Sequence, residues 1–422
     1  MASYPRVVTN NVRRFSVILL ASLCIWVGPA EAASVGLSLE EALRQAQENN
    51  PRFAAAGWAI AISEGERKQA GLIPNPQLSW EMEDTRSDTR TSTIQITQPI
   101  ELGGKRRARI DLAGKGQGIA SVELERNRNE LRAEVISTFY QNLQARMRVD
   151  LAEQSLALAE RSVVGAKGRV KAGKISPVEL TRAQVQLSGV ELELRRAQRD
   201  LANAAARLRA IVGGVGGPSV LNVLGDATDI PEPPPVDRLW RLLGDTPAMR
   251  LATLSVEQKE ASFELEKTAR IPDLNVSVGS QYSAESRERI NVVGFSMPLP
   301  LFNRNQGNIL SAARRADQAR DLRNAEELRL RTDIQQAIDQ WLFATEEIAA
   351  FNQTILPAAN SAVESATRGF EMGKFGFIDV LDAQRTLISA RSQYAEALAV
   401  ATAAWAQLER VFGDVTAIPG PR

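Results

Sequence analysis

Gln98-Pro99-Ile100-Glu101-Leu102 and Met297-Pro298-Leu299-Pro300-Leu301 read as two copies of one exit from a strand, and their agreement decides how the chain is built. Working outward, Leu72-Ile73-Pro74 corresponds to Arg270-Ile271-Pro272, and Asn50-Pro51 to Thr246-Pro247. In the other direction Gly173-Lys174, Ala183-Gln184 and Gly213 correspond to Gly373-Lys374, Ala383-Gln384 and Gly413. The offset drifts only from about 196 to 200 residues, so two halves share one ordered set of elements. A duplicated unit of this size suits a quasi-symmetric barrel or tube better than an enzyme with one pocket.

Each half reads helix, strand, strand, very long helix, turn, helix. Ser38 caps the first helix, with Glu40 and Glu41 in its opening turn, and this helix is expected to end near Pro74. Pro76 to Asp84 alternates, with Leu78, Trp80 and Met82 on one face and Ser79, Glu81 and Glu83 on the other. Thr91 to Gln98 alternates again, and Asp273 to Ser283 and Ile290 to Met297 repeat the pair in the second half. Strands of roughly 8–11 residues are long enough to cross a bilayer when tilted. Alternation alone fits a half-buried sheet in a soluble protein equally well; the N-terminus decides between them.

That N-terminus reads as a secretory signal. Arg6, Arg13 and Arg14 precede an apolar run from Phe15 to Val27, and Ala30-Glu31-Ala32 supplies a small-x-small cleavage site, with cutting expected after Ala32. Cys24 would be the lipidated residue of a lipoprotein, but Leu23 before it is too large for that signal, so simple cleavage is expected. The organisation expected is a signal peptide over 1–32, a first repeat over 33–213, a Gly/Pro-rich linker over 214–235, a second repeat over 236–413 and a tail over 414–422.

Behind the strands, no proline interrupts Lys105 to Ala172, and leucines recur at helical spacing. At about 1.5 Å per residue such a helix extends roughly 100 Å. Arg304 to Met372 is its second copy, and Pro357 should bend rather than end it. Each long helix turns at Gly173 or Gly373 into an antiparallel partner that stops at Gly213 or Gly413.

Composition removes several function classes. The net charge of +1, with acids and bases interspersed, leaves no electrostatic footprint for nucleic acid. Histidine is absent and the one cysteine falls in the expected signal peptide, so the usual general base and the commonest metal ligands are missing. No enzyme, cofactor or metal site is expected. Four strands per chain cannot close a membrane barrel, whose smallest forms have about eight, and an open edge in lipid leaves backbone groups without partners. Copies of the chain must pool strands, and the helices then extend the barrel into a tube.

The order helix–strand–strand–long hairpin, present twice, resembles the TolC-like outer-membrane factor family. Three motifs carry the resemblance: Pro298-Leu299-Pro300-Leu301-Phe302-Asn303-Arg304-Asn305-Gln306-Gly307, its partner Gln98-Pro99-Ile100-Glu101-Leu102-Gly103-Gly104-Lys105-Arg106, and the hairpin tip Gly373-Lys374-Phe375-Gly376-Phe377-Ile378-Asp379-Val380-Leu381-Asp382-Ala383. Within it, Pro-Ile-Glu-Leu-Gly-Gly-Lys-Arg is most similar to the CzcC-type channels of heavy-metal efflux (cobalt, zinc, cadmium, nickel). The resemblance implies a mainly helical chain that contributes four strands to a trimeric, 12-stranded transmembrane β-barrel in the outer membrane. A helical periplasmic barrel continues it. The partners implied are two further copies, a periplasmic adaptor and a proton-driven inner-membrane pump of the resistance-nodulation-division type, with the chain as a passive duct. An outer-membrane factor for drug efflux or type I secretion is the alternative, and a periplasmic coiled-coil scaffold a more distant one.

Asp379 and Asp382 share one helix face, in a first turn where acids also simply favour a helix N-terminus. The resemblance makes them the periplasmic gate. The first copy carries Glu179 and Arg182 at the matching places, so the gate is expected mainly on the second hairpin. Gly173, Lys174, Gly373 and Lys374 mark the hairpin tips, as turn residues and as the expected docking surface for the adaptor. Trp80, Tyr282 and Phe302 are either an interfacial aromatic belt or core packing, and Met82 and Met297 are lipid-facing or packed rather than ligands.

Overall fold

Asn50-Pro51 splits the first helical stretch in two. The proline ring disfavours helical geometry at the residue before it, and Asn50 is extended (φ −74°, ψ 117°). Its side-chain oxygen accepts from the N–H groups of Arg52 and Phe53 at 2.9 and 3.2 Å. Two helices result, α1 (Leu39–Asn49) and α2 (Pro51–Ala70), where one was expected. The second half repeats the device. Thr246 caps and Pro247 opens the helix that follows, so that α5 (Val236–Leu242) and α6 (Pro247–Thr268) mirror α1 and α2.

The computed structural model describes residues 36–214 and 222–418. The expected signal peptide with Cys24, part of the linker and the end of the tail lie outside these residues. Among the described residues no helix is long and apolar enough to cross a membrane.

One antiparallel sheet in the order β1-β2-β3-β4 joins the halves. It is formed by β1 (Gln77–Glu83), β2 (Thr91–Ile100), β3 (Leu274–Ser283) and β4 (Arg289–Ser296). The cross-strand registers make its two faces differ sharply. Leu78–Ile96–Val278–Val293 is one row of the apolar face, and Val276–Phe295 and Trp80–Ile94 are pairs on it. The opposite face carries Ser79–Gln95–Gly279–Val292 and Glu81–Thr93–Gln281–Ile290. Among the described residues no helix covers the apolar face, and Leu78, Trp80, Val293 and Phe295 are all more than 60% exposed. The sheet is open: β1 is exposed along its whole length, and β4 nearly so.

From the sheet run α3 (Lys105–Lys171), returning as α4 (Pro177–Ile211), and α7 (Gln306–Ala350), which continues through a π-helical turn (Phe351–Ile355) into α8 (Leu356–Glu371) and returns as α9 (Phe377–Phe412). Pro357 lacks the N–H that a regular ladder needs, and the wider turn just before it lets the helix run on. Buried residues recur every seventh position, as Ala145, Ala152, Ala159 and Ala166 in α3 and Ala183, Val190, Ala197 and Ala204 in α4. Val380, Leu387, Tyr394, Ala401 and Leu408 do the same in α9. This repeat keeps one seam facing its neighbour, as in a coiled coil.

The largest core lies where α3, α7 and α9 meet α1 and α5, around Ile136, Phe139, Tyr140, Ile334, Trp341, Trp405 and Leu408. The Tyr140 and Trp405 rings meet edge to face at 5.4 Å. The Tyr140 hydroxyl donates to the Asp229 carbonyl, and burial pushes its pKa up to about 12. Glu409 is the one fully enclosed carboxylate among the described residues. It binds Arg132, accepts from Trp405 Nε1 at 2.9 Å, and accepts from the Val415 N–H at 3.2 Å.

Candidate functional site

The expected site residues gather at the two hairpin tips. Both tips turn through a glycine in the left-handed region, Gly173 (φ +67°) and Gly373 (φ +75°), where a side chain would be strained. The Lys174 N–H returns to the Arg169 carbonyl at 2.9 Å, and the Lys374 N–H to the Gly369 carbonyl at 2.8 Å. These bonds satisfy carbonyls at the helix ends and leave both lysines exposed.

The two tips are held to one another. Ala166 and Ala183 of the first hairpin pack with Ala366, Phe370, Phe377, Val380 and Leu381 of the second. The Arg169 guanidinium lies 4.1 Å over the Phe370 ring, and Gln384 Nε2 donates to Ser162 Oγ at 3.1 Å. Sequence reading missed these ties. The signal available was small residues at seven-residue spacing facing aromatic ones.

Asp379 and Asp382 are both exposed and close to one another on α9, but their local roles differ. Asp379 Oδ2 accepts from the Gly376 N–H at 2.8 Å, so this carboxylate closes the first turn of α9. Asp382 makes no such bond to the start of its helix and lines a groove between α4 and α9. That groove holds Val178, Arg182 and Val185 on one wall and Ile378, Asp382 and Arg385 on the other. Asp382 therefore shares this groove with two arginines, one from each hairpin, and Arg182 is its own counterpart in the first repeat. Ile378 on the α9 wall and Met372 and Phe375 beyond the groove stand at least half exposed at the second tip. Aromatic placement is mixed: Tyr282 sits at the hairpin end of β3, Trp80 in mid-strand, and Phe302, 90% exposed, just after β4. Met82 and Met297 are both at least 40% exposed. Among the described residues no group of three His, Cys, Asp or Glu side chains is placed to hold a metal ion.

Comparison with known proteins gives a consistent picture. The chain matches the family described as outer membrane efflux protein twice, over residues 42–214 and 239–414. It is 40% identical over 387 residues to the cobalt-zinc-cadmium resistance protein CzcC of Cupriavidus metallidurans, with 92% of each chain covered. It is 27% identical over 299 residues to the nickel-cobalt-cadmium resistance protein NccC of Alcaligenes xylosoxydans xylosoxydans, covering 69% of this chain and 67% of that one. Among solved structures, that of CusC, studied for conformational changes accompanying folding and transmembrane channel formation, aligns with a TM-score of 0.76. At 16% identity, covering 92% of this chain and 93% of that one, this is a likeness of fold.

Proposed function

This chain belongs to the outer membrane efflux protein family, and from that premise we propose that it is the outer-membrane duct of a tripartite system exporting divalent heavy-metal cations. The observation that carries the reading is the open sheet, apolar on one face and polar on the other, continuous with a helix of 67 residues. Lipid accepts the first face and water the second. Four strands cannot close, so copies must pool them, and membership of this family favours three copies that supply twelve strands and form a homotrimer around a polar lumen. The helices, about 100 Å long, then span the periplasm toward an adaptor and a proton-driven inner-membrane pump of the resistance-nodulation-division type. The chain itself is a passive conduit, reached by secretion with a cleavable signal peptide over 1–32.

The cargo class follows from the similarity to CzcC, a cobalt-zinc-cadmium resistance protein. A duct that passes cations on needs weak, repeated attraction rather than a chelating site, and the donor chemistry of this chain suits that. At the inner mouth Asp382 is the gating carboxylate, repeated three times by symmetry, and Asp379 holds the turn that presents it. Gly173, Lys174, Gly373 and Lys374 with the exposed Phe375 and Ile378 form the docking surface for the adaptor.

Deleting the gene and restoring it on a plasmid tests the function. Sensitivity to cobalt, zinc, cadmium or nickel that only the plasmid reverses is expected. Sensitivity confined to dyes, detergents and antibiotics would overturn the metal assignment and favour a drug-efflux duct. Recovery of the protein in a soluble fraction without detergent would favour the coiled-coil scaffold instead.

A further inference from the structure

The two ends of the sheet differ in charge. At the loop end, positions 83–90 and 284–289 hold five acids and four arginines, close to balance. At the helix end lie the four connections between sheet and helices and the first five residues of α3 and α7, positions 71–76, 101–109, 269–273 and 297–310. These hold Lys105, Arg106, Arg107, Arg109, Arg270 and Arg304 against Glu101 and Asp273 alone. The last five residues of α2 and of α6 add three acids and three bases, so the excess stands. We propose that this basic belt binds the headgroups of anionic phospholipids in the membrane leaflet that adjoins the helices. The proposal rests on the outer-membrane duct above, which makes that leaflet the periplasmic one.

The fold itself does not call for these cations. The peptide dipole favours acids at the start of a helix and disfavours bases there, yet α3 has no acid in its first turn and opens on Lys105, Arg106, Arg107 and Arg109. Pairing within the chain uses up both acids of the belt. Asp273 binds Lys105 at 2.7 Å, and Glu101 binds Arg109. Four exposed arginines are then left without a carboxylate. Arg106 donates to the Gly71 carbonyl at 2.7 Å and Arg304 to the Pro300 carbonyl at 3.2 Å, which satisfies N–H groups but not charge. Arg107 and Arg270 have no side-chain partner among the described residues. The counter-charge for these four must come from outside the chain.

Their surroundings favour lipid over an acidic protein as its source. The same connections expose large apolar side chains, with Leu72 at 57%, Ile73 at 63%, Leu299 at 71%, Leu301 at 64% and Phe302 at 90%. These carry the apolar face of the sheet on past the strand ends, so the arginines stand where hydrocarbon gives way to phosphate. Apolar side chains mixed with cations are the signature of a surface seated at that boundary. An arginine can lay its stem along the apolar surface and keep its guanidinium in the polar layer. There its parallel N–H groups match the two free oxygens of a phosphodiester. The near balance at the loop end shows that a sheet of this kind does not need a net positive rim to fold.

The test uses the full-length protein, extracted from membranes and reconstituted with equal amounts of phosphatidylglycerol and phosphatidylcholine. Native mass spectrometry then counts the lipids that stay bound on re-extraction. The parent should retain phosphatidylglycerol in preference, by about fivefold for each arginine in contact with a lipid. Arg106→Gln, Arg107→Gln, Arg270→Gln and Arg304→Gln together should abolish the preference, and the four Lys replacements should keep most of it. Arg107→Gln with Arg270→Gln breaks no bond within the chain, so it reads the belt even where the fourfold variant fails to fold, and should lose part of the preference. Arg86→Gln, Arg90→Gln, Arg287→Gln and Arg289→Gln, at the loop end, should leave it unchanged. A parent without preference, or Gln variants of the belt that keep it, overturns the proposal. Belt variants that keep the lipid preference but lose metal resistance in cells overturn it too, in favour of a protein docked there. Protein recovered without detergent instead removes the outer-membrane duct on which the proposal rests.

Discussion

Glu409 is the side chain whose removal should be felt most per atom. It is fully enclosed at the end of α9, where it binds Arg132 and receives the Trp405 indole N–H at 2.9 Å and the Val415 N–H at 3.2 Å. Glu409→Ala strands both N–H groups, at about 1–3 kcal/mol each. Arg132 is partly exposed and keeps Asp414 at 2.9 Å, so little of a buried charge's full penalty applies on its side. A loss of about 3 kcal/mol is expected, at the low end for breaking a buried pair. Glu409→Gln keeps an oxygen for Trp405 and Val415 and should lose about 1 kcal/mol. The pH dependence has a definite sign. Burial raises the Glu409 pKa above its ordinary value of 4.5, against the opposing pull of Arg132, so the folded state binds the proton more tightly than the unfolded one. That contribution is fully present below the ordinary value and is lost as pH rises through the raised folded-state value. The advantage of the parent over Glu409→Gln should therefore be largest in acid and shrink toward neutrality. Thermal melts of the detergent-solubilised protein at fixed concentration, followed by circular dichroism, measure both effects. Equal melting of the Ala and Gln variants at every pH would refute the idea that this carboxylate organises the junction.

Three other expectations can be checked. Asp382→Ala should weaken cation selectivity in planar-bilayer recordings with the oligomer intact, whereas Asp379→Ala should chiefly loosen the tip, by about 1 kcal/mol for a lost cap; the reverse pattern would move the gate to Asp379. Trp341 is fully buried and its indole N–H has no partner among the described residues, so Trp341→Phe should cost far less than the roughly 3–5 kcal/mol of Trp341→Ala, a contrast that denaturant melts resolve. Pro357→Ala should restore an ordinary ladder through the π turn, raising hydrogen-exchange protection over Phe351–Ile355.

Much of the fold was legible because its signals are local and repeated. The alternating strands, the glycine turns and the proline-free run of α3 each obey a single period, and the duplication let one half check the other. The break at Pro51 is hidden, since a helix broken by proline with an asparagine cap looks continuous in hydrophobic pattern. The place of Ile290 and Val292 on the polar face was not legible either, because register across strands decides it and an apolar residue in a strand does not announce its side. At the tips, sequence spacing placed Asp379 and Asp382 on one face, but not the hydrogen bond to Gly376 that separates their roles. Nor did it reveal Arg182 in the groove with Asp382, which follows from two hairpins 200 residues apart packing side by side.

The two halves agree where they build wall and diverge where the wall must end. In the proposed trimer, the repeated strands and helical hairpins of three chains would approximate six similar units around a lumen. At the tips the equivalence fails. Glu179 and Arg182 stand where the second repeat has Asp379 and Asp382, and α4 is capped by the Ser176 side chain where α9 starts at Gly376, its cap N–H bound by Asp379. The first hairpin rests on an unbroken α3, whereas the second descends from a helix already widened at Phe351–Ile355. A mouth of six identical hairpins would carry no distinction between those that move and those that hold. In the proposed duct, Asp382 and the altered helix both fall on the second hairpin, which would give opening a physical asymmetry to act on, and the Arg169–Phe370 contact is a tie between the hairpins that such a motion would have to break.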